Sequence, residues 1–393
     1  MSKFEHNVIQ FFIEKRIYIF FFATSIIALS MRYAGIDYVS NDMKGFLLPW
    51  YETIANNGSN ALKDQVGDYG LLYQTIIFLL VKFPLFSADT KYKLVSIFFD
   101  FLLASCASYI TCSVTNKPLK SHTGVITYFI VLLCPTVVFN SAYWGQCDSI
   151  FTCFCLLTFI FIMKGHFQIS FFFYGIALAF KLQAIFFFPF ILCHYIYTKR
   201  YSILNLFISL FTFWFSGIAT YISGRNIFSA FHIYADQTQE YSQSMYINVA
   251  SFWALIGQDS KFLKLYSILF TIAILGFGLY NLLNKKDYFN LTENTLYYAA
   301  WTTWTCVLFL PHMHERYTYL SDIFLISLAI ANKKYSIFAI ASVIISTMTY
   351  TSYLFVTPSI TRISSLICIS CWLIFSLFDF ITQSSKSNKS SSC

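Results

Sequence analysis

Apolar stretches of 15 to 22 residues recur from Ile17 to Ile381, separated by short polar loops. This repetition constrains the fold more than any motif does. A helix that crosses a bilayer needs about 20 mostly apolar residues, whereas the strands of a membrane barrel alternate over about 10. Composition points the same way, with 57% apolar and only 11% charged residues and a mean hydropathy of +0.61, against roughly 25% charge in an ordinary soluble domain. The expected class is all-α and polytopic. Aromatic residues, 21% of the chain with 46 Phe and 28 Tyr, suit lipid-facing surfaces and interfacial belts.

The net charge of +8 comes from Lys and Arg scattered through short loops. That pattern orients membrane helices and lacks the contiguous basic surface that nucleic acid requires. Most of the eleven cysteines lie inside apolar runs, where a thiol packs as a small hydrophobe. Cys368 and Cys371 form a mid-helix C-x-x-C with neither a second pair nor a nearby His, so it reads as packing. The terminal Cys393 makes no prenylation box. Glu14, Lys15 and Arg16 precede the first apolar run, which reads as a retained span rather than a cleaved leader. The polar stretch 383–393 is expected to be a disordered cytoplasmic tail, leaving 1–382 as one integral membrane domain. No Walker loop, dinucleotide fingerprint or G-x-S-x-G elbow is present, which argues against a nucleotide-driven pump or a serine hydrolase.

Counting every apolar run as a crossing gives thirteen spans and places Lys117/Lys120, Lys199/Arg200, Lys285/Lys286 and Lys333/Lys334 outside, against the positive-inside tendency. Leu71 to Pro84 is the poorest candidate, being short and carrying Lys82. Assigning it to the outer interface leaves about twelve spans, near 17–34, 92–113, 124–141, 149–163, 168–183, 184–198, 203–222, 262–282, 296–310, 317–331, 335–355 and 363–381, with both chain ends and all four basic pairs inside. The tightest stretch is 168–198, which must cross twice with a break near Pro189. Outer segments then run from Gly35 to Lys91, from Ser223 to Lys261, and over the knot 311–317, with a turn at 143–149. No internal repeat supports an inverted-repeat transporter.

The polar motifs gather on that outer face. In the first outer loop, Asp37 and Asp42 precede an aromatic segment with Phe46, Trp50 and Tyr51. A carboxylate held there against solvent could deprotonate a sugar hydroxyl; alternatively both are solvated loop charges. The turn YWGQCDS puts Gln146 and Asp148 at the mouth of two spans, and polar groups converging at one membrane depth mark a site. Lys181, with Gln183 two residues on, lies in an otherwise apolar run. An ammonium there needs an anionic partner, such as a lipid phosphate, or must snorkel to the interface. PHMHERY brings together His312, His314, Glu315 and Arg316. No third ligand is spaced for zinc, so a phosphate-binding cluster fits better than a metal site. Arg225, His232 and Arg362 rank lower, and Asp100, Asp322 and Asp379 fall within spans where a structural role is open.

Taken in order, SNDMKGFLLPWY, NSAYWGQCDSI, AFKLQAIFFFP and LPHMHERY resemble bacterial relatives of the glycosylphosphatidylinositol-anchor mannosyltransferases, within the GT-C superfamily, over residues 40–317 or about 70% of the chain. The resemblance implies a GT-C architecture with interfacial helices in the first outer loop. It further implies an inverting transfer of a mannose-like hexose from a polyprenyl-phosphate donor to a glycan or lipid-linked acceptor. By that resemblance Asp42 is the base, Asp148 the second acid, and Lys181 and Gln183 the donor-phosphate step. The first loop lacks the tight acidic pair of the family, offering only Asp37 five residues before Asp42. No cofactor or metal is expected, and the site faces outward from a bacterial inner membrane. The rivals are a polysaccharide polymerase or ligase using polyprenyl-diphosphate glycans, and a lipid-linked-sugar transporter.

Overall fold

The first helix, Lys3–Ala34, begins at a reciprocal cap in which the Ser2 hydroxyl accepts from the Glu5 amide at 3.2 Å and the Glu5 carboxylate accepts from the Ser2 amide at 2.6 Å. Both otherwise unpaired amides are thereby satisfied. The computed structural model describes residues 1–240, 244–258, 260–357 and 361–390. Helix dominates them, and their one strand pairing is the two-residue parallel contact of Tyr246–Ile247 with Met313–His314. The all-α class follows. Residues 241–243 and 259 of the expected outer segment 223–261, residues 391–393 of the expected tail, and the side chain of Asp379 lie outside the described residues; the last helix runs Thr361–Ser390.

The chain divides into two compact units. The first, Met1–Ala184 with Leu204–Ile233, packs the Ala88–Val114 helix against His122–Leu132 and Asp148–Met163, and the Phe167–Phe180 helix against Asp148–Met163 and Leu206–Phe215. The second, Ile185–Ile203 with Tyr234–Cys393, centres on Thr292–Phe309, whose side chains are buried continuously from Thr295 to Phe309. Tyr319–Ala331 packs on it, followed by Ser336–Leu354 and Thr361–Ser390.

Among the described residues, five helices are long and apolar enough to cross a membrane: Lys3–Ala34, Ala88–Val114, Lys261–Leu283, Lys333–Leu354 and Thr361–Phe378. Several expected crossings take other forms. The 124–141 span is His122–Leu132 followed by Pro135–Tyr143, bent by 52°, because Pro135 has no amide to continue the ladder. The break in 168–198 falls at Lys181, whose backbone is extended, rather than at Pro189, which opens the Phe188–Thr198 helix. Leu71–Lys82 has 12 residues and so rises about 18 Å, short of the roughly 30 Å hydrocarbon layer.

The first unit is cross-braced by a buried ion pair. Arg32 Nη2 and Nε lie 2.8 and 2.9 Å from Asp100 Oδ2, while Arg32 Nη1 donates to the carbonyls of Ala28 and Leu132 at 3.1 Å each. Ser141 Oγ donates to the same Asp100 oxygen at 2.5 Å. One residue of the first helix is thus tied directly to two other segments and, through Asp100, to a third, which accounts for Asp100. Asp322, in the second unit, accepts from Ser342 Oγ at 2.5 Å across two helices. Asp100→Leu should destabilise the protein by about 3–5 kcal/mol, the cost of leaving a buried charge alone, and adding Arg32→Met should recover most of it. Thermal unfolding in detergent measures both; a single variant as stable as wild type would contradict the pairing.

Candidate functional site

The loop after the first helix is pinned before it reaches Asp42. Lys93 Nζ donates to the carbonyls of Gly35, Ile36 and Tyr38 at 3.0, 2.6 and 2.6 Å, so one ammonium caps the turn. Ser40 Oγ then accepts from the Met43 amide at 3.2 Å, and the chain enters the π-helical turn Met43–Leu47 and the helix Leu48–Asn57. Asp37 is exposed on this loop, whereas Asp42 is buried at its end.

The partners of Asp42 come from the turn after Phe139–Tyr143. Trp144 Nε1 donates to Asp42 Oδ2 at 2.9 Å and Gln146 Nε2 approaches it at 3.4 Å. Between them Gly145 has φ +69, and a Cβ there would lie 2.3 Å from Met43 Cε. The position therefore favours glycine on conformation and on space. Ser96 Oγ holds the Gln146 carbonyl at 2.6 Å, and the Gln146 side-chain carbonyl accepts from Tyr69 Oη at 2.5 Å.

Asp148 opens the Asp148–Met163 helix, where the helix dipole favours a carboxylate. Its Oδ2 accepts from Asn140 Nδ2 at 2.7 Å and its Oδ1 lies 2.5 Å from Lys181 Nζ, with both charged side chains buried. The anion that Lys181 requires is therefore Asp148. The extended backbone at Lys181 ends the Phe167–Phe180 helix and lets the side chain reach that carboxylate. Lys181 Nζ also lies 5.3 Å from the Tyr69 ring centroid, within cation–π range. Tyr69 thus touches both halves of the cluster, and edge contacts with Trp50 and Tyr73 at 5.3 and 5.0 Å hold its ring. Gln183, half-buried, has a side-chain oxygen without a hydrogen-bond partner.

Asp42, Gln146, Asp148 and Lys181, chosen from sequence, therefore meet in the first unit. The residues missed are Trp144, Asn140 and Tyr69. The first two lie in or beside the motif already singled out, whereas Tyr69 arrives from 77 residues away along the chain from Gln146 and carries no local signal. Arg225 is engaged elsewhere in that unit, donating to the Asp64 carbonyl and Gln74 Oε1 at 3.0 Å each and to Gln65. His232 and Arg362 are exposed.

The knot 311–317 belongs to the second unit. His312 has φ +61, its amide donates to the Met245 carbonyl at 2.8 Å, and its Nδ1 donates to the Ser244 carbonyl at 2.7 Å. Burial pushes the His312 pKa below the usual imidazole value and Lys264 adds to this, against the opposing pull of the Ser244 carbonyl. Its Nε2 is buried without a hydrogen-bond partner. His314 and Glu315 are buried, Arg316 is half-buried, and the His314 and Tyr317 ring centroids lie 5.1 Å apart. Among the described residues, no three His, Cys, Asp or Glu side chains are grouped to hold a metal.

No protein-family model matches the chain, and no curated protein matches it.

Gly145→Ala should destabilise the protein by about 1–2 kcal/mol for the left-handed backbone, plus the displacement of Met43. Met43→Ala makes room for the new methyl, so the double variant should unfold at a higher temperature than the sum of the two single effects. Strict additivity would show that the contact beside Asp42 is absent.

Proposed function

We propose that this chain is an integral membrane glycosyltransferase that moves a hexose from a polyprenyl-phosphate donor to a glycan or lipid-linked acceptor at the outer face of a bacterial inner membrane, with inversion. The observation that carries this reading is the buried Asp42 carboxylate, oriented by Trp144 and Gln146 and joined through Tyr69 to the Lys181–Asp148 pair. Three of the four motifs behind the GT-C resemblance supply those side chains other than Tyr69.

In this reading the acceptor hydroxyl gives its proton to Asp42 as its oxygen bonds to the anomeric carbon, while the bond from that carbon to the phosphate oxygen breaks. The lipid monophosphate leaves with the bonding pair. A lysine ammonium carries three donors, so Lys181 can bond a phosphate oxygen while Asp148 holds it in position. A preorganised cation in a low-dielectric site offsets the growing charge of the leaving group. The matching topology is the twelve-span path with both ends inside, supported by the basic loop pairs; five of its twelve segments coincide with helices long and apolar enough to cross.

Purified protein incubated with a polyprenyl-phosphate hexose and lipid-linked acceptors should transfer sugar. Asp42→Asn should slow transfer by about 10²–10⁴-fold, the usual contribution of a positioned base, and Asp37→Asn should leave it within severalfold of wild type. Undiminished transfer by Asp42→Asn removes the base assignment, and use of diphosphate donors alone moves the chain to the polymerase or ligase class. For topology, single cysteines at positions 117 and 199 should resist a membrane-impermeant thiol reagent in intact cells. Labelling of either from outside would break the twelve-span path.

A further inference from the structure

A groove of about 420 Å³ lies in the second unit, between Ser260–Leu283, Thr292–Phe309 and Thr361–Ser390. Its volume falls within the roughly 300–1,000 Å³ of small-molecule sites. Its walls include Ala273, Ile274, Phe277, Trp301, Trp372 and Leu373. Four donors of the wall are engaged within the fold: Trp301 Nε1 donates to Ser376 Oγ at 2.8 Å, Trp372 Nε1 to Thr305 Oγ1 at 3.0 Å, Tyr297 Oη to the Phe375 carbonyl at 2.7 Å and Asn281 Nδ2 to the Phe277 carbonyl at 2.8 Å. Gly278 brings the Trp301 ring against the helix, since a Cβ there would lie 2.2 Å from it. Away from Lys285 and Tyr298, what remains for a ligand is mainly hydrocarbon surface.

One end differs. The lining follows the Ser260–Leu283 helix from Ala273 to Leu282, about 14 Å at 1.5 Å per residue, and finishes at Asn281, Tyr298 and, just past the helix end, Lys285. Lys285 Nζ sits 4.8 Å from the Tyr288 ring centroid, and Lys286 follows it. Two of the three helices contain segments long and apolar enough to cross a membrane, Lys261–Leu283 and Thr361–Phe378. An apolar channel that ends in a paired basic step beside an aromatic ring matches one acyl chain with an anionic headgroup.

We propose that this groove binds one anionic glycerophospholipid, one of its two acyl chains along Ala273–Phe277 and its phosphate at Lys285. The proposal depends on these helices lying in a bilayer and not on the transferase reading. Full-length protein in mild detergent, incubated with equal amounts of phosphatidylglycerol and phosphatidylcholine, would be examined by native mass spectrometry. One retained lipid per chain is expected, with about fivefold preference for phosphatidylglycerol, the scale of one lysine at an anionic surface. Ala273 is exposed, so Ala273→Trp should fill the groove without disturbing the core and lose the retained lipid. Lys285→Gln should keep the lipid and lose the preference. Monodisperse elution of both variants controls for folding. Equal retention of the two lipids by wild type, full retention by Ala273→Trp, an undiminished preference in Lys285→Gln, displacement by polyprenyl phosphate at equal concentration, or a lipid-free dimer would each overturn it.

Discussion

A lysine ammonium in an apolar helical layer needs compensation from a fixed anion or from several carbonyls, and in this chain Lys181 finds Asp148 at 2.5 Å. Removing either partner strands a buried charge, so the pair fixes the end of one helix against the beginning of another. From there the network is determined step by step. Asn140 holds the other carboxylate oxygen, Tyr69 lies under the ammonium, and Gln146 connects Tyr69 to Asp42.

The loop bearing Asp42 depends on similar compensation. Lys93 gathers three carbonyls, and Arg32 draws Asp100, Ser141 and two further carbonyls into the core of the first unit. Each cation replaces water for groups that a helix break exposes, and breaks are where irregular backbone in an apolar layer needs such help. The candidate site therefore sits among the π-helical turns at Met43–Leu47 and Phe139–Tyr143 and the extended residue Lys181.

The all-α class was legible because apolar run length separates spanning helices from barrel strands without tertiary information. That Lys181 needs either an anion or a route to the interface was legible too, since it follows from charge in an apolar run; that the answer is Asp148 depends on packing over 33 residues of sequence. The choice between Asp37 and Asp42 stayed open because Trp144, which distinguishes them structurally, lies 102 residues from Asp42. Tyr69 was illegible for the same reason. Helix breaks were the weakest point: hydropathy registers 124–141 and 168–198 as apolar stretches but does not register the bend at Pro135 or the extended residue at Lys181.

A single carboxylate acting as base in a direct displacement has one stereochemical consequence. The most direct measurement is the anomeric configuration of the transferred sugar, read by NMR on product made from a polyprenyl-phosphate hexose of defined anomer. The expected product has the opposite configuration from the donor. Retention would contradict the proposed displacement, because it requires either two successive displacements or attack from the face the phosphate leaves, and neither is a single in-line step with Asp42 as base.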